Sequence, residues 1–329
     1  MKYKKSIILV LIIVIIFISL LSIMIGTKTV DLKTIINALT NQNQSFEMSV
    51  VQARIPRTLF GIVAGASLAL SGCLMQSITR NPIADPSILG VNTGASLFVV
   101  SGIAFFSISN IHQYIWLGFI GSLLTALFVY AIASSGVTGV TPIKLALSGA
   151  ATSIALSSLV NTIMLPNSQV MESFRFWQIG SIAGASFESL IILIPYFVVG
   201  LILAFSLSGH LNTLALGDEL ASGLGMNTKL VRAIAALAGV LLCGATTALA
   251  GPIGFVGLMV PHLIRLLVGS DMNLLLPLSA LGGSILLLFA DIIGRIVMSP
   301  SQLEVGIVTA LLGAPVFIVI VKRTKVKSL

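Results

Sequence analysis

Charge is what this sequence has least of. Only 9% of its 329 residues are Asp, Glu, Lys or Arg, against 57% hydrophobic residues, whereas soluble domains carry about 25% charged residues. That shortage excludes a soluble domain and implies an integral membrane protein. Acids are scarcer than bases, 10 against 18, and the apolar runs are nearly empty of both, which argues against the buried relays of ion-coupled carriers. Cysteine is confined to Cys73 and Cys243, inside separate apolar runs, with no metal-like spacing and no reason for a disulfide. They read as small packing residues. His112, His210 and His262 lie on different segments, so no ligand cluster or nucleophile pair is built into the spacing. No G-x-x-x-x-G-K-[ST] phosphate loop occurs. The chain is therefore read as a non-enzyme without its own cofactor or metal, and any ATP that drives it is bound by another chain.

What is present is a series of apolar runs near the ~20 residues that cross a bilayer as a helix, without the ~10-residue alternation of barrel strands. Spans are expected near 6–26, 57–78, 91–108, 114–134, 143–164, 187–207, 230–250, 254–268, 273–294 and 306–321. The third, eighth and tenth are short for a full crossing. The fold expected is an all-α polytopic bundle of about ten helices in one domain, 1–329. The basic start MKYKK and the long run after it read as a retained first helix. With the N-terminus inside, twelve of the 18 basic residues fall on the inner side, Lys325 and Lys327 among them. Six fall outside: Lys28, Lys33, Arg54, Arg57, Arg175 and Arg295. That asymmetry places both termini in the cytoplasm and accounts for the net charge of +8 without nucleic acid.

Two spans share a plan. The second, GIVAGASLALSGCLMQSITRNPIADPSILG, and the seventh, AALAGVLLCGATTALAGPIGFVGLMVP, are each rich in small residues and then broken at a Pro-Ile pair. Their opposite directions fit an inverted repeat, the arrangement transporters use to place sites at interrupted helices; two independent packing helices would look the same. After the second span, Arg80, Asn81, Pro82, Asp85 and Pro86 form a stiff inward loop, because Pro82 and Pro86 forbid a regular helix. Asp291 and Arg295 are four apart and share a helix face, the spacing of a local ion pair. Outward, Arg54 and Arg57 flank Pro56 just ahead of the second span and Arg295 ends the ninth; basic groups there are snorkelling side chains or docking points for an acidic partner.

The stretch LALGDELASGLGMNTKLVR, 214–232, stands apart from its aliphatic surroundings. Gly217 suits an N-cap, Asp218 and Glu219 fall in a first turn where the helix dipole favours acids, and Gly223 or Gly225 supplies a stop. A short bounded helix or a solvated loop on the inner side both fit these residues.

The runs RIPRTLFGIVAGASLALSGCLMQSITRNPIADPSILGVNTGAS, LALGDELASGLG, GPIGFVGLMVPHLIRLLVGSD, ADIIGR and GIVTALLGAPVF resemble the permease subunits of binding-protein-dependent ABC importers for iron siderophores, haem and vitamin B12. The resemblance covers roughly 54–321. It implies a permease in a bacterial cell membrane that pairs with an identical or homologous second permease subunit. Two cytoplasmic ATPase subunits carrying ATP and Mg, and an extracytoplasmic substrate-binding protein, are implied as well. The cargo implied is an iron-siderophore-type chelate. By the same likeness, Arg54, Arg57 and Arg295 are the binding-protein docking positions. Leu216, Gly217, Asp218, Glu219, Ala221, Leu224 and Gly225, within a coupling element of about 208–229, meet the ATPase. Thr141, Pro142 and Ile143 correspond to the inner gate, with weakly matching residues. One departure concerns the outer loop, where the family's Glu-x-Pro is replaced by Gln302, Leu303 and Glu304. A secondary carrier that uses an ion gradient without an ATPase is the alternative of a different class.

Overall fold

The computed structural model describes residues 2–26, 28–40, 46–135 and 140–323, among which every regular element is helical. In chain order these are α1 (Lys2–Met24), α2 (Leu32–Thr40), α3 (Phe46–Thr79), α4 (Val91–Phe106), α5 (Ile111–Ser134), α6 (Pro142–Met164), α7 (Ser168–Gln178), α8 (Phe187–Ser206), α9 (Ser208–Leu214), α10 (Asp218–Gly223), α11 (Thr228–Ala250), α12 (Val256–Val268), α13 (Met272–Val297) and α14 (Val305–Arg323). A single 3-10 turn, Pro86–Leu89, precedes α4. Each of the ten expected spans is a helix. Seven are long and apolar enough to cross a membrane, and α4, α12 and most of α14 are the three shorter apolar ones. Lys325 and Lys327, expected on the inner side, lie outside the described residues.

One boundary differs substantially from expectation. The second span begins not near 57 but at Phe46, so Arg54, Pro56 and Arg57 lie inside α3. Pro56 removes one backbone donor, and the helix continues through it because its neighbours are held by tertiary bonds described below. Hydropathy missed this first part because Glu47, Gln52 and the two arginines dilute it.

The bundle is organised around α3, which packs along α13, α11 and α12. The membrane windows of α3 and α11 are each 78% buried, whereas that of α1 is 6% buried. The first pair form the centre and α1 rides on the rim. Their close approach follows from small residues. A Cβ on Gly65 would collide with the carbonyl of Gly283 on α13, and one on Gly72 with that of Gly257 on α12. Ser71 adds a 2.7 Å bond from its Oγ to the carbonyl of Gly239 on α11. Within a bilayer, lipid tails are as apolar as leucine, so such contacts and interhelical hydrogen bonds replace the hydrophobic drive. Cys73 and Cys243 are buried and unbridged.

Both expected breaks are present. After α3 the chain turns at Arg80, whose φ is +50°. It then starts the 3-10 turn where Asp85 accepts a 2.9 Å bond from the Ser87 N–H, and it leaves that turn through Gly90. After α11 the helix stops at Gly251. Residues 251–254 are not helical, and α12 starts behind Phe255, which is left-handed.

Candidate functional site

The two ends of the bundle carry different polar constructions. At the end expected to face inward, α9 and α10 form a small separate element between α8 and α11. Gly217 turns the chain into α10 with φ 117° and ψ 156°, a region essentially reserved for glycine. Gly225, also at positive φ, releases it. Ala221 is the residue that α10 buries, while Leu216, Leu220 and Leu224 are 59%, 62% and 69% exposed. Leu220 stands on this six-residue helix and Leu216 and Leu224 flank it, so together they form an exposed apolar knob outside the bilayer-length helices. The expectation of a short bounded helix is met, with Gly217 at its N-cap and Leu224 at its C-cap.

The acid pair divides. Asp218 Oδ1 accepts 2.5 Å and 2.8 Å bonds from Arg80 and Arg232, whereas Glu219 is exposed. Arg80, read above as part of the stiff inward loop, is thereby tied to α10. Asn81 Oδ1 caps the following turn through the Ile83 N–H, Pro82 is exposed, and Pro86 is buried against Gly257 of α12. The loop also lies close to α6, where a Cβ on Gly149 would strike the Ile88 carbonyl. Burial raises the Asp85 carboxyl from its ordinary value, against the lowering effect of its bonds from Ser87. Thr141 caps α6 through the Lys144 N–H, Pro142 takes the first helical position, and Ile143 is exposed. Among the described residues no hydrogen bond joins these three to α9 or α10.

Arg232 is the residue that sequence reasoning missed. It entered only as an inward charge, yet its side chain is 4% exposed. The available signal was its place on the stripe of Ala235, Ala236 and Gly239 that α11 buries. A cation on a packing face needs a partner.

At the opposite end, Arg54, Arg57 and Arg295 do come together, but not as free rim charges: they are 8%, 9% and 2% exposed. Arg57 Nη2 and Arg295 Nη2 bracket the Asp291 carboxylate at 2.7 and 2.8 Å, so the local Asp291–Arg295 pair gains a third member from α3. Arg57 Nη1 donates to Gln302 at 2.7 Å, and the departing outer loop therefore enters the cluster. The remaining positive charge is met by the C-terminal end of α1. Arg295 donates to the carbonyls of Ser22 and Ile25 and to Ser22 Oγ. Arg54 donates to those of Ile23, Met24 and Lys28. Helix C-termini present unpaired carbonyls and the negative end of the dipole, so these carbonyls supplement Asp291 in compensating the three arginines.

A third feature lies on α6. Leu147, Ala150, Ile154, Ser157 and Asn161 are exposed at helical spacing. Asn161 lies in the last turn of α6 and Ser157 one turn before it, so this exposed face carries polar groups beside its leucine and isoleucine. Among the described residues no three of His, Cys, Asp and Glu gather at metal-ligating distance.

Residues 11–323 match the FecCD transport family. The chain is 42% identical over 315 residues to the ferric enterobactin transport system permease protein of Escherichia coli, covering 95% of this chain and 94% of that one. It is 42% identical to the Fe(3+)-citrate import system permease protein of Bacillus subtilis, over 92% of this chain and 90% of the relative. Among solved structures, a metal-chelate type ABC transporter in an inward-facing conformation superposes with a TM-score of 0.84 at 30% identity, covering 97% and 99% of the two chains.

Proposed function

Because the chain belongs to the FecCD transport family, we propose that it is the permease subunit of an ABC importer that carries a ferric chelate inward across a bacterial cell membrane. The cargo class follows relatives whose names specify ferric enterobactin and Fe(3+)-citrate. The observation that carries the mechanism is the exposed leucine knob of α10, a protein-facing surface in a chain without a phosphate loop of its own. In this reading Leu216, Leu220 and Leu224 seat the element on a cytoplasmic ATPase that holds ATP and Mg, and two such ATPases serve two permease subunits. Both termini then lie in the cytoplasm, as the excess of inward basic residues favours.

The exposed α6 face with Ser157 and Asn161 fits the contact with a second permease subunit, identical or homologous, and the chelate path beside it. An extracytoplasmic binding protein docks at the opposite end, where its carboxylates compete with the α1 carbonyls for Arg54, Arg57 and Arg295. ATP binding on the partners then biases an equilibrium between outward and inward access. Deletion of this gene should abolish uptake of ferric enterobactin or ferric citrate in its host, and the gene supplied in trans should restore it. Undiminished uptake of every ferric chelate tried would reject the reading.

A further inference from the structure

The two neighbouring acids of α10 have different surroundings. Asp218 is held from both sides, by Arg80 in the turn after α3 and by the buried Arg232 of α11. Arg80 Nη2 also donates to the Leu214 carbonyl at 3.1 Å, so the same guanidinium grips the end of α9. It reaches there from a left-handed backbone conformation, φ +50°, which a non-glycine residue rarely adopts. A second tie lies at the other side of the element. Asn212 Nδ2 donates to Asp271 at 2.9 Å, and Asn212 Oδ1 accepts from the Met272 N–H at 2.8 Å. The element is thereby bonded to the inner ends of α3, α11 and α13, the helices at the tightly packed centre. Packing alone gives α10 little purchase, since Ala221 is the residue it buries and an isolated helix of one to two turns is not stable by itself. Glu219 is exposed and has no ion pair among the described residues.

We propose that Arg80, Asp218 and Arg232 form a transmission clamp that makes the α9–α10 element move as one body with the inner ends of α3 and α11. Asp218, though its side chain is half-exposed, is then a positioning residue paired within the permease, and Glu219 is the acid left to face the ATPase. The proposal rests on the reading that α10 seats on an ATPase. A push on the exposed leucines is delivered through the two ion pairs to the helices that line the centre, instead of being absorbed by a hinge at Gly217 and Gly225.

The test uses the full chain purified with its ATPase, carrying nitroxide labels at exposed Ser222 and Ile83; the native cysteines are buried. With the clamp intact, the label distance is narrow and unchanged by ATP. In Asp218→Asn it broadens and shifts with ATP, the clamped population falling roughly fivefold, and Asp218→Glu restores the narrow distribution. ATPase copurification is unaffected by Asp218→Asn and weakened by Glu219→Gln. An ATP-dependent distance in the parent chain, or a narrow one in Asp218→Asn, would overturn the clamp. Failure of the parent chain to retain any ATPase would instead sink the docking reading, and the clamp is then decided by the label width in the permease alone.

Discussion

Arg295 is among the largest fully buried side chains of the described protein, and its surroundings explain how a membrane protein tolerates it. Burying one partner of an ion pair without the other costs several kcal/mol, whereas a hydrogen-bonded pair approaches neutrality. Asp291 lies between two arginines and is 2% exposed, so Asp291→Ala should destabilise the protein by about 3–5 kcal/mol, read as a fall in thermal unfolding temperature in detergent. Gln302 occupies a place where a carboxylate would add charge complementarity to Arg57. Gln302→Glu should therefore stabilise by about 1 kcal/mol in the same assay. Asp85 predicts a pH dependence. Its folded carboxyl lies above the ordinary range, so ionising it opposes folding, and stability falls as pH rises through the ordinary carboxylate range toward the folded value. Asp85→Asn keeps the cap to Ser87 and should raise stability at neutral pH, with the gain vanishing in acid where both states are protonated. No gain at neutral pH would contradict the burial argument.

At the scale of elements, helices were legible wherever an apolar run was long or bounded by a cap, a glycine or a proline. The ten spans and the break at Pro82 and Pro86 could be read in advance, and Gly217 and Gly225 marked the bounds of α10 while leaving helix or loop open. The start of α3 could not, because Arg54 and Arg57 look like solvent-facing charges until the end of α1 is known to lie against them. The amphipathic α2 and α7 carry too few apolar residues to register as spans. Long-range ties, such as Arg80 and Arg232 to Asp218 or Arg57 to Asp291, join residues 14 to 234 positions apart, a distance no local pattern encodes. The site's composition was thus visible while its connectivity was not. Gly217 offers a test at this scale. A Cβ there meets nothing within 4 Å, so Gly217→Ala acts through backbone strain of about 1–3 kcal/mol. It should loosen α10 and accelerate amide hydrogen exchange of residues 218–225 while exchange in α3 is unchanged.

Across the whole molecule, a dense centre of α3, α11, α12 and α13 connects an inner element tied by ion pairs to an outer cluster that fastens α1. The rim helices, α1 and α6 above all, are only lightly packed within the subunit. The sequence contains no G-x-x-x-x-G-K-[ST] phosphate loop. In the proposed function transport by the molecule is energised by a partner. Proteoliposomes containing this chain with its ATPase, supplied outside with the binding protein and radio-iron ferric enterobactin or ferric citrate, measure that directly. The account predicts uptake only with ATP in the compartment that holds the ATPase, and none from this chain alone under a proton or sodium gradient. Gradient-driven uptake by the chain without an ATPase would contradict it.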